Sequence, residues 1–575
     1  MMMASFLRPQ QNARHVRLGL GVSLFFALSY GYLAMQKGFS GDYVVQDDAR
    51  HYLFWMTRFQ DAGAFPNDLI ADYLQSIAPV GYKLLYRLAS YGLEPEWLAK
   101  ILPTALGAIA AGYYYGLTVA IFPVPTAGVM ASVMLSQHLW CTDDLVSASP
   151  RAFVYPLMIP LLFYFVKRRW GISLVFLGLL ALFYPPVALV ATTLYAVHAV
   201  DWSVLGKTRY RPWQAVIRSR ARVAIAALII TALCILPTYL LAQPYGPVVT
   251  LAQAHTIPEF QPSGRHSFFR AGLWRYWLML YGGHGAILKR TVFTPVTLAA
   301  SVFLIPMLRW RRWFPAIKTV RPGLSVFAEL TVAAMLWFIA AYVVAFQLHM
   351  PGRYTSHCIF LAVPILAAVA WVSLLSSPLL SRQRLVRPIA VLLVLVPLLF
   401  YYPLLLQNFP KTLYMHGHQG PIYQYLQTQP SHTLVASLDY EADNIPIFAK
   451  RAVLIAPEYA TPFHLGYYRQ IRQRAEDLLI AHYTSSQAVL ETFIRKYNVD
   501  FWLVNKAAFS SDYLAHHRYW ANNYQIRSVV DSIRQGQTGR LQTAIDSCAS
   551  VETESFWLIS ADCIGQRSNP IDSRS

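Results

Sequence analysis

The sequence is short of charge, and of acid above all. Of 575 residues only 13% are charged, with 28 acidic against 48 basic, while 56% are apolar and the mean hydropathy is +0.37. A typical soluble protein is about 25% charged and about 45–50% apolar. The balance here excludes a soluble enzyme of this size and, more firmly, a disordered chain. Cysteine is scarce: Cys141, Cys234, Cys358, Cys548 and Cys563 form no CxxC pair, which removes zinc-module and thioredoxin-like readings. Internal repeats and low-complexity runs are absent. Residues 407–575 lack GxSxG, HExxH and Walker-type motifs, so the commonest hydrolase and nucleotidase signatures have no support there.

What the chain has in abundance is apolar runs. A bilayer core about 30 Å thick needs roughly 20 mostly apolar residues as a helix. Such runs lie near 16–35, 101–122, 126–140, 152–167, 170–200, 223–242, 293–308, 326–348, 357–375 and 388–406. The net charge of +20 would ordinarily point to nucleic acid, but its placement answers differently. Twenty basic residues fall in five clusters: Arg8/Arg14/Arg17, Lys167/Arg168/Arg169, Lys207 to Arg222, Arg309 to Arg321 and Arg382/Arg384/Arg387. Only Asp201 and Glu329 lie near them among the acids. Short basic loops stay in the cytoplasm, and all five clusters share one side only if the run 170–200 returns on itself. Tyr184-Pro185-Pro186 at its middle breaks a helix, giving two short crossings or a re-entrant hairpin.

The expectation is an α-helical polytopic membrane protein with about 11 crossings and a C-terminal soluble α/β domain. Residues 1–15 are read as a cytoplasmic terminus, 16–406 as the transmembrane part with external loops 36–100 and 243–292, and 407–575 as an external domain. In that tail, 433–438, 452–456, 499–505 and 556–559 look like strands, and 422–429, 465–482 and 487–497 like helices, with Ser485 and Ser486 able to cap the last. Cys548 and Cys563, fifteen residues apart on the oxidising side, are placed for a disulfide. On this topology the external side holds the other 28 basic and 26 acidic residues, so the charge excess is an orientation signal and nucleic acid is not an expected partner.

Chemistry is then sought among the few external acids. Asp47 and Asp48 open a segment, 49–60, that reads as an amphipathic helix with Leu53, Phe54, Trp55 and Phe59 available to the membrane surface. A helix N-cap accounts for one carboxylate better than for two. A second pair, Asp143-Asp144, followed by Arg151, falls in the next external loop and is the only acid between Glu96 and Asp201. Gly352-Arg353-Tyr354 puts an isolated arginine at an external helix end, where its choices are snorkelling into headgroups or holding a phosphate by its bidentate fork. The loop 243–292 carries His255, His266 and His284 with Arg265, Arg270 and Arg275, at spacings that match no metal signature. Trp274, Tyr276, Trp277, Gly282 and Gly283 read as part of an interfacial or substrate-covering loop.

This arrangement resembles the GT-C class of membrane glycosyltransferases, which includes protein O-mannosyltransferases, lipid A aminoarabinose transferases and oligosaccharyltransferase catalytic subunits. The resemblance rests on Asp47-Asp48 in a long first loop, Asp143-Asp144 with Ser149-Pro150-Arg151-Ala152-Phe153, Tyr184-Pro185-Pro186, Gly352-Arg353-Tyr354 and the tail on the same side. It implies inverting transfer of a sugar from a polyprenyl-phosphate carrier to an acceptor glycan, lipid or protein at the external face of a membrane, expected to be the bacterial inner membrane with the tail periplasmic. By that likeness Asp47 or Asp48 takes the place of the base. Arg353, with Tyr354, Arg151 and His51, falls among substrate-binding groups. Asp143 and Asp144 match a loop that binds metal in some members, so a divalent cofactor is possible without being indicated. The alternatives are a non-catalytic scaffold, and a transporter, flippase or polymerase for lipid-linked glycans. A transporter would want acids at mid-membrane, and here the acids of interest lie in external loops.

Overall fold

The computed structural model describes residues 13–200, 218–241, 243–269, 285–378, 389, 393 and 395–566. Within them, five helices are long and apolar enough to cross a bilayer: Ala13–Gly38, Pro95–Ile121, Arg218–Pro237, Pro322–Val343 and Gly352–Leu375. Shorter apolar helices fill the space between, at Pro150–Val166, Trp170–Phe183, Pro185–Ala199 and Val296–Arg309. The helix Pro125–Trp140 is buried along nearly its whole length. Each expected apolar run has a helix on it, except 388–406, which is only partly described and ends in a wide π-helical turn, Pro397–Tyr401, followed by a tight 3₁₀ turn, Tyr402–Leu405. Arg8, Arg382, Arg384 and Arg387, Lys207, Arg209 and Arg211 of the 207–222 cluster, and Arg270, Trp274, Arg275, Tyr276, Trp277, Gly282, Gly283 and His284 lie outside the described residues.

The double proline acts as its chemistry requires. Tyr184 ends one helix in an extended conformation (φ −146°, ψ 82°), and Pro185 and Pro186 occupy the first turn of the next, where no backbone N–H is missed. Each piece has about 14 residues, about 21 Å of helix.

The tail carries a five-stranded mixed sheet. Numbering strands through the chain, β1 is Val44–Gln46, β2 Tyr414–His416, β3 Leu434–Ser437, β4 Ala452–Val453, β5 Phe501–Asn505, β6 Ala549–Glu552 and β7 Phe556–Ser560. The sheet order is β4-β3-β5-β7-β6, with β3 parallel to β4 and β5, and β7 antiparallel to both its neighbours. The helices Leu465–Tyr483 and Gln487–Tyr497 stand where the sequence predicts, the second capped by Ser486. Cys548 and Cys563 form a disulfide between the helix before β6 and the short helix Ala561–Gln566 after β7.

Two features were not foreseen. First, β1 and β2 pair antiparallel, Val44 opposite His416 and Gln46 opposite Tyr414, so the segment that follows the first long helix is stapled to the start of the tail. Lys37 Nζ adds bonds to the carbonyls of Asn408 (3.2 Å) and Pro410 (2.8 Å). Second, the expected surface-lying helix 49–60 is interior. It forms a helix Asp47–Leu53 and a tighter turn Phe54–Phe59, and Leu53, Phe54 and Trp55 are at most 2% exposed. Phe54 packs on Phe65 and on Tyr459 of the tail. Its apolar face covers protein instead of lipid, and one continuous hydrophobic core runs from the helical bundle into the sheet.

Candidate active site

The first loop presents its two acids through a cap that neither supplies. Gln46 Oε1 accepts from Ala49 N (3.0 Å) and caps the helix Asp47–Leu53. Both carboxylates are therefore free of capping duty while still sitting at the positive end of the helix, each with its side chain 41% exposed.

They point to different partners. Asp48 Oδ2 accepts from Arg151 Nη2 at 2.5 Å. The same Nη2 reaches Asp143 Oδ2 at 3.2 Å, and Arg151 Nε lies 3.1 Å from Asp144 Oδ1. Asp144 is buried and also ion-paired to Lys289, and His357 Nδ1 is 3.9 Å from it. Burial alone would raise the Asp144 carboxyl, but Lys289 and Arg151 outweigh it and hold the group well below the ordinary carboxylate range. The loop is set by local chemistry: Ser147 and Ser149 share a hydrogen bond (2.8 Å), and Ala148 sits at φ 47° with its carbonyl held by Tyr86. Pro150 then begins the next helix, which places Arg151 on its first turn.

Beside this cluster opens a cavity of about 600 Å³ lined by Arg151, Lys289, Arg290, Arg353 and Lys411, with Asp143 as its one lining carboxylate. Arg353 donates from Nη1 to the Tyr184 hydroxyl (3.1 Å), so the proline-broken segment holds the isolated arginine in place. Arg151 and Lys289 are already paired with acids, so Arg290, Arg353 and Lys411 are the cavity's basic groups outside that cluster, and their chemistry suits a phosphate.

Asp47 turns the other way. It pairs with Arg50, which donates to Asn444 Oδ1 (2.8 Å) and lies 3.8 Å from Glu458 Oε2. Arg265 closes the group on Glu458 and on the Pro457 carbonyl. These residues line a second cavity, of about 680 Å³, between the first loop and the tail, with Asp443, Tyr440 and Arg518. Burial, reinforced by Glu458, pushes the Asp443 carboxyl up to about 7 against the pull of Arg50 and Arg265. His51 belongs to this side. Burial and the nearby Arg265 push its imidazole down to about 3, so it is neutral.

The surroundings of three candidate residues bear on their roles. Tyr354 does not line the basic cavity: it is 1% exposed, its hydroxyl bonds the Leu348 carbonyl (2.5 Å) and its ring stacks on Trp337. Its neighbour Arg353 alone faces the cavity because successive helical residues diverge by about 100°. Asp143 and Asp144 do not fit a metal, since both oxygens of Asp144 face cations and Asp143 shares Arg151. Nor, among the described residues, do three His, Cys, Asp or Glu side chains converge elsewhere. His255 stacks on Phe269, and His266 packs on Phe463.

Lys289, Arg290 and Lys411 escaped the sequence reading. Their signal is the one that singled out Arg353, a basic residue outside the five clusters.

No protein-family model matches the chain, and no curated protein does. Among solved structures it is similar to the apo Archaeoglobus fulgidus oligosaccharyltransferase, with 13% identity over 88% of this chain and 71% of that one and a TM-score of 0.51. The archaeal oligosaccharyltransferase AglB from Archaeoglobus fulgidus, in complex with an inhibitory peptide and a dolichol-phosphate, also has 13% identity, over 98% and 75% of the two chains, and a TM-score of 0.51. ArnT from Cupriavidus metallidurans has 12% identity over 95% and 97%, with a TM-score of 0.44. The chain thus shares the fold of the archaeal oligosaccharyltransferase, a GT-C-like fold, and its five long apolar helices have the length and composition of membrane spans.

Proposed function

We propose that this protein transfers a sugar from a polyprenyl-phosphate carrier to an acceptor, with inversion, at the membrane face that bears the tail. The observation that carries the reading is the contact of Asp48 with Arg151 at the edge of the five-cation cavity. The carrier phosphate occupies that cavity, where Lys289, Arg290, Arg353 and Lys411 neutralise the charge that grows on it as the glycosidic bond breaks. Asp48 accepts the acceptor proton on the opposite face of the sugar. Arg151 orients Asp48, and Asp144 keeps Arg151 and Lys289 in register. The acceptor enters through the second cavity, along Asp47 and Arg50.

The reading places the tail, 407–575, in the periplasm of a bacterial inner membrane, the amino terminus 1–15 in the cytoplasm and about 11 crossings in 16–406. The fold likeness to an oligosaccharyltransferase bound to dolichol-phosphate supports a lipid-linked donor in general. The test is turnover of a polyprenyl-phosphate sugar by purified protein carrying Asp48→Asn or Arg353→Ala. Loss in both is expected. Wild-type turnover in both overturns the roles, and failure of the unmutated protein to bind any such donor favours a scaffold.

A further inference from the structure

A third cavity, of about 1080 Å³, opens on the side of the bundle between the helices Ala13–Gly38, Pro95–Ile121 and Pro150–Val166. Its walls are apolar, from Leu20 and Leu24 on one side to Phe163 and Val166 on the other, and Gly112 and Gly116 cut its floor. Arg151 begins the Pro150–Val166 segment at the basic cavity and Val166 ends it here, about 22 Å away at 1.5 Å per residue. The groove is therefore at the far end of the bundle from the acid–arginine cluster.

That end is cationic. Lys167 and Arg321 line the groove, both exposed. Arg321 is anchored, its backbone N–H on the Ile121 carbonyl (2.8 Å) and its Nη1 on the Ala120 carbonyl (3.2 Å). Lys167 Nζ lies 4.3 Å from the centroid of the Phe163 ring. Neither forms an ion pair among the described residues, and Arg168, Arg169 and Lys318 lie next in the chain, without an acid beside them. An apolar slot of this size, with an unneutralised pair of cations at its mouth on a membrane-facing surface, matches one chemistry: acyl chains continuous with an anionic headgroup.

We propose that this groove is a binding site for one anionic phospholipid, its acyl chain along Gly112 and Gly116 and its phosphate between Lys167 and Arg321. The site is separate from the catalytic cavity and does not depend on the reading of Asp48.

The test uses the full-length protein, delipidated in detergent and equilibrated with equal phosphatidylglycerol and phosphatidylethanolamine, with retained lipid counted by native mass spectrometry. Wild type is expected to keep one phosphatidylglycerol per chain. Lys167→Gln/Arg321→Gln is expected to weaken that retention about thirtyfold, since each basic side chain near a headgroup contributes about 1 kcal/mol. Gly112→Leu is expected to abolish it: a Cβ there meets Leu24 at 3.4 Å and Leu20 at 3.8 Å, ordinary contact, so the side chain fills the slot without moving backbone. Should Gly112→Leu fail to fold, the surface double variant decides. Equal retention of both phospholipids by wild type, undiminished phosphatidylglycerol on the double variant, a second protein copy in the groove, or polyprenyl phosphate as its occupant would each overturn the proposal.

Discussion

Arg151 and Asp48 are 103 residues apart in sequence and 2.5 Å apart in space. The contact joins the segment after the first long helix to the start of the helix Pro150–Val166, and it separates two adjacent acids. Asp48 is held at the basic cavity, while Asp47 is held by Arg50 toward the tail.

That separation predicts unequal variants. Asp48→Asn should lower kcat by about 10²–10⁴-fold, the range for loss of a general base, with little change in Tm. Asp47→Asn should act mainly on KM for the acceptor. Steady-state kinetics with both substrates varied checks this, and a kcat loss confined to Asp47→Asn would exchange the two roles.

Asp144 is buried between Arg151 and Lys289. Its removal takes the carboxylate from Lys289 and one of three from Arg151, and Asp144→Asn should destabilise the protein by about 3 kcal/mol, at the lower end for broken buried pairs. Thermal unfolding in detergent reads this directly. A Tm unchanged from wild type would mean that the pair is not formed.

Arg353 is predicted to hold phosphate as a fork fixed by Tyr184. Arg353→Lys keeps the charge and loses the fork, so it should bind donor more weakly than wild type and more tightly than Arg353→Ala. Tyr184→Phe should weaken donor binding by a few-fold only, near the worth of one hydrogen bond. Titration of donor by fluorescence quenching ranks the four proteins.

Asp443 has a folded-state pKa of about 7, above that of the unfolded chain. The folded protein therefore binds more protons than the unfolded one between about pH 4 and 7, and stability falls as pH rises through that window. Asp443→Asn removes this group, so its stability should gain on wild type from pH 4 to pH 7 and keep the gain above. Chemical unfolding followed by tail tryptophan fluorescence measures the difference. A constant offset across the window would contradict it.

The Cys548–Cys563 disulfide closes fifteen residues around β6 and β7. A loop of that length contributes about 3 kcal/mol in the chain-entropy account. Cys548→Ser/Cys563→Ser should lose stability of that order, and reductant should cost wild type the same while leaving the variant unchanged.

The apolar runs and their proline break were legible in the sequence because membrane helices and prolines act locally. Leu434–Ser437 and Phe501–Asn505 were legible too, since short β-branched and aromatic runs between turns carry their own signal. Val44–Gln46 and Tyr414–His416 were not. Each is three residues long, and only the other supplies its hydrogen bonds.

The scarcity of acid is informative by itself. With so few carboxylates outside the tail, Asp47, Asp48, Asp143 and Asp144 stood out without any knowledge of shape. The sequence also determined the segregation of basic residues, because that pattern is read residue by residue. Only the tertiary structure decided that Gln46 caps the first-loop helix, that Arg151 gathers Asp48, Asp143 and Asp144, and that Lys289, Arg290 and Lys411 join Arg353 around one cavity. Convergence of charges from distant segments depends on how helices pack. No spacing within the chain encodes it, and it is that packing which gathers scattered charges around one cavity.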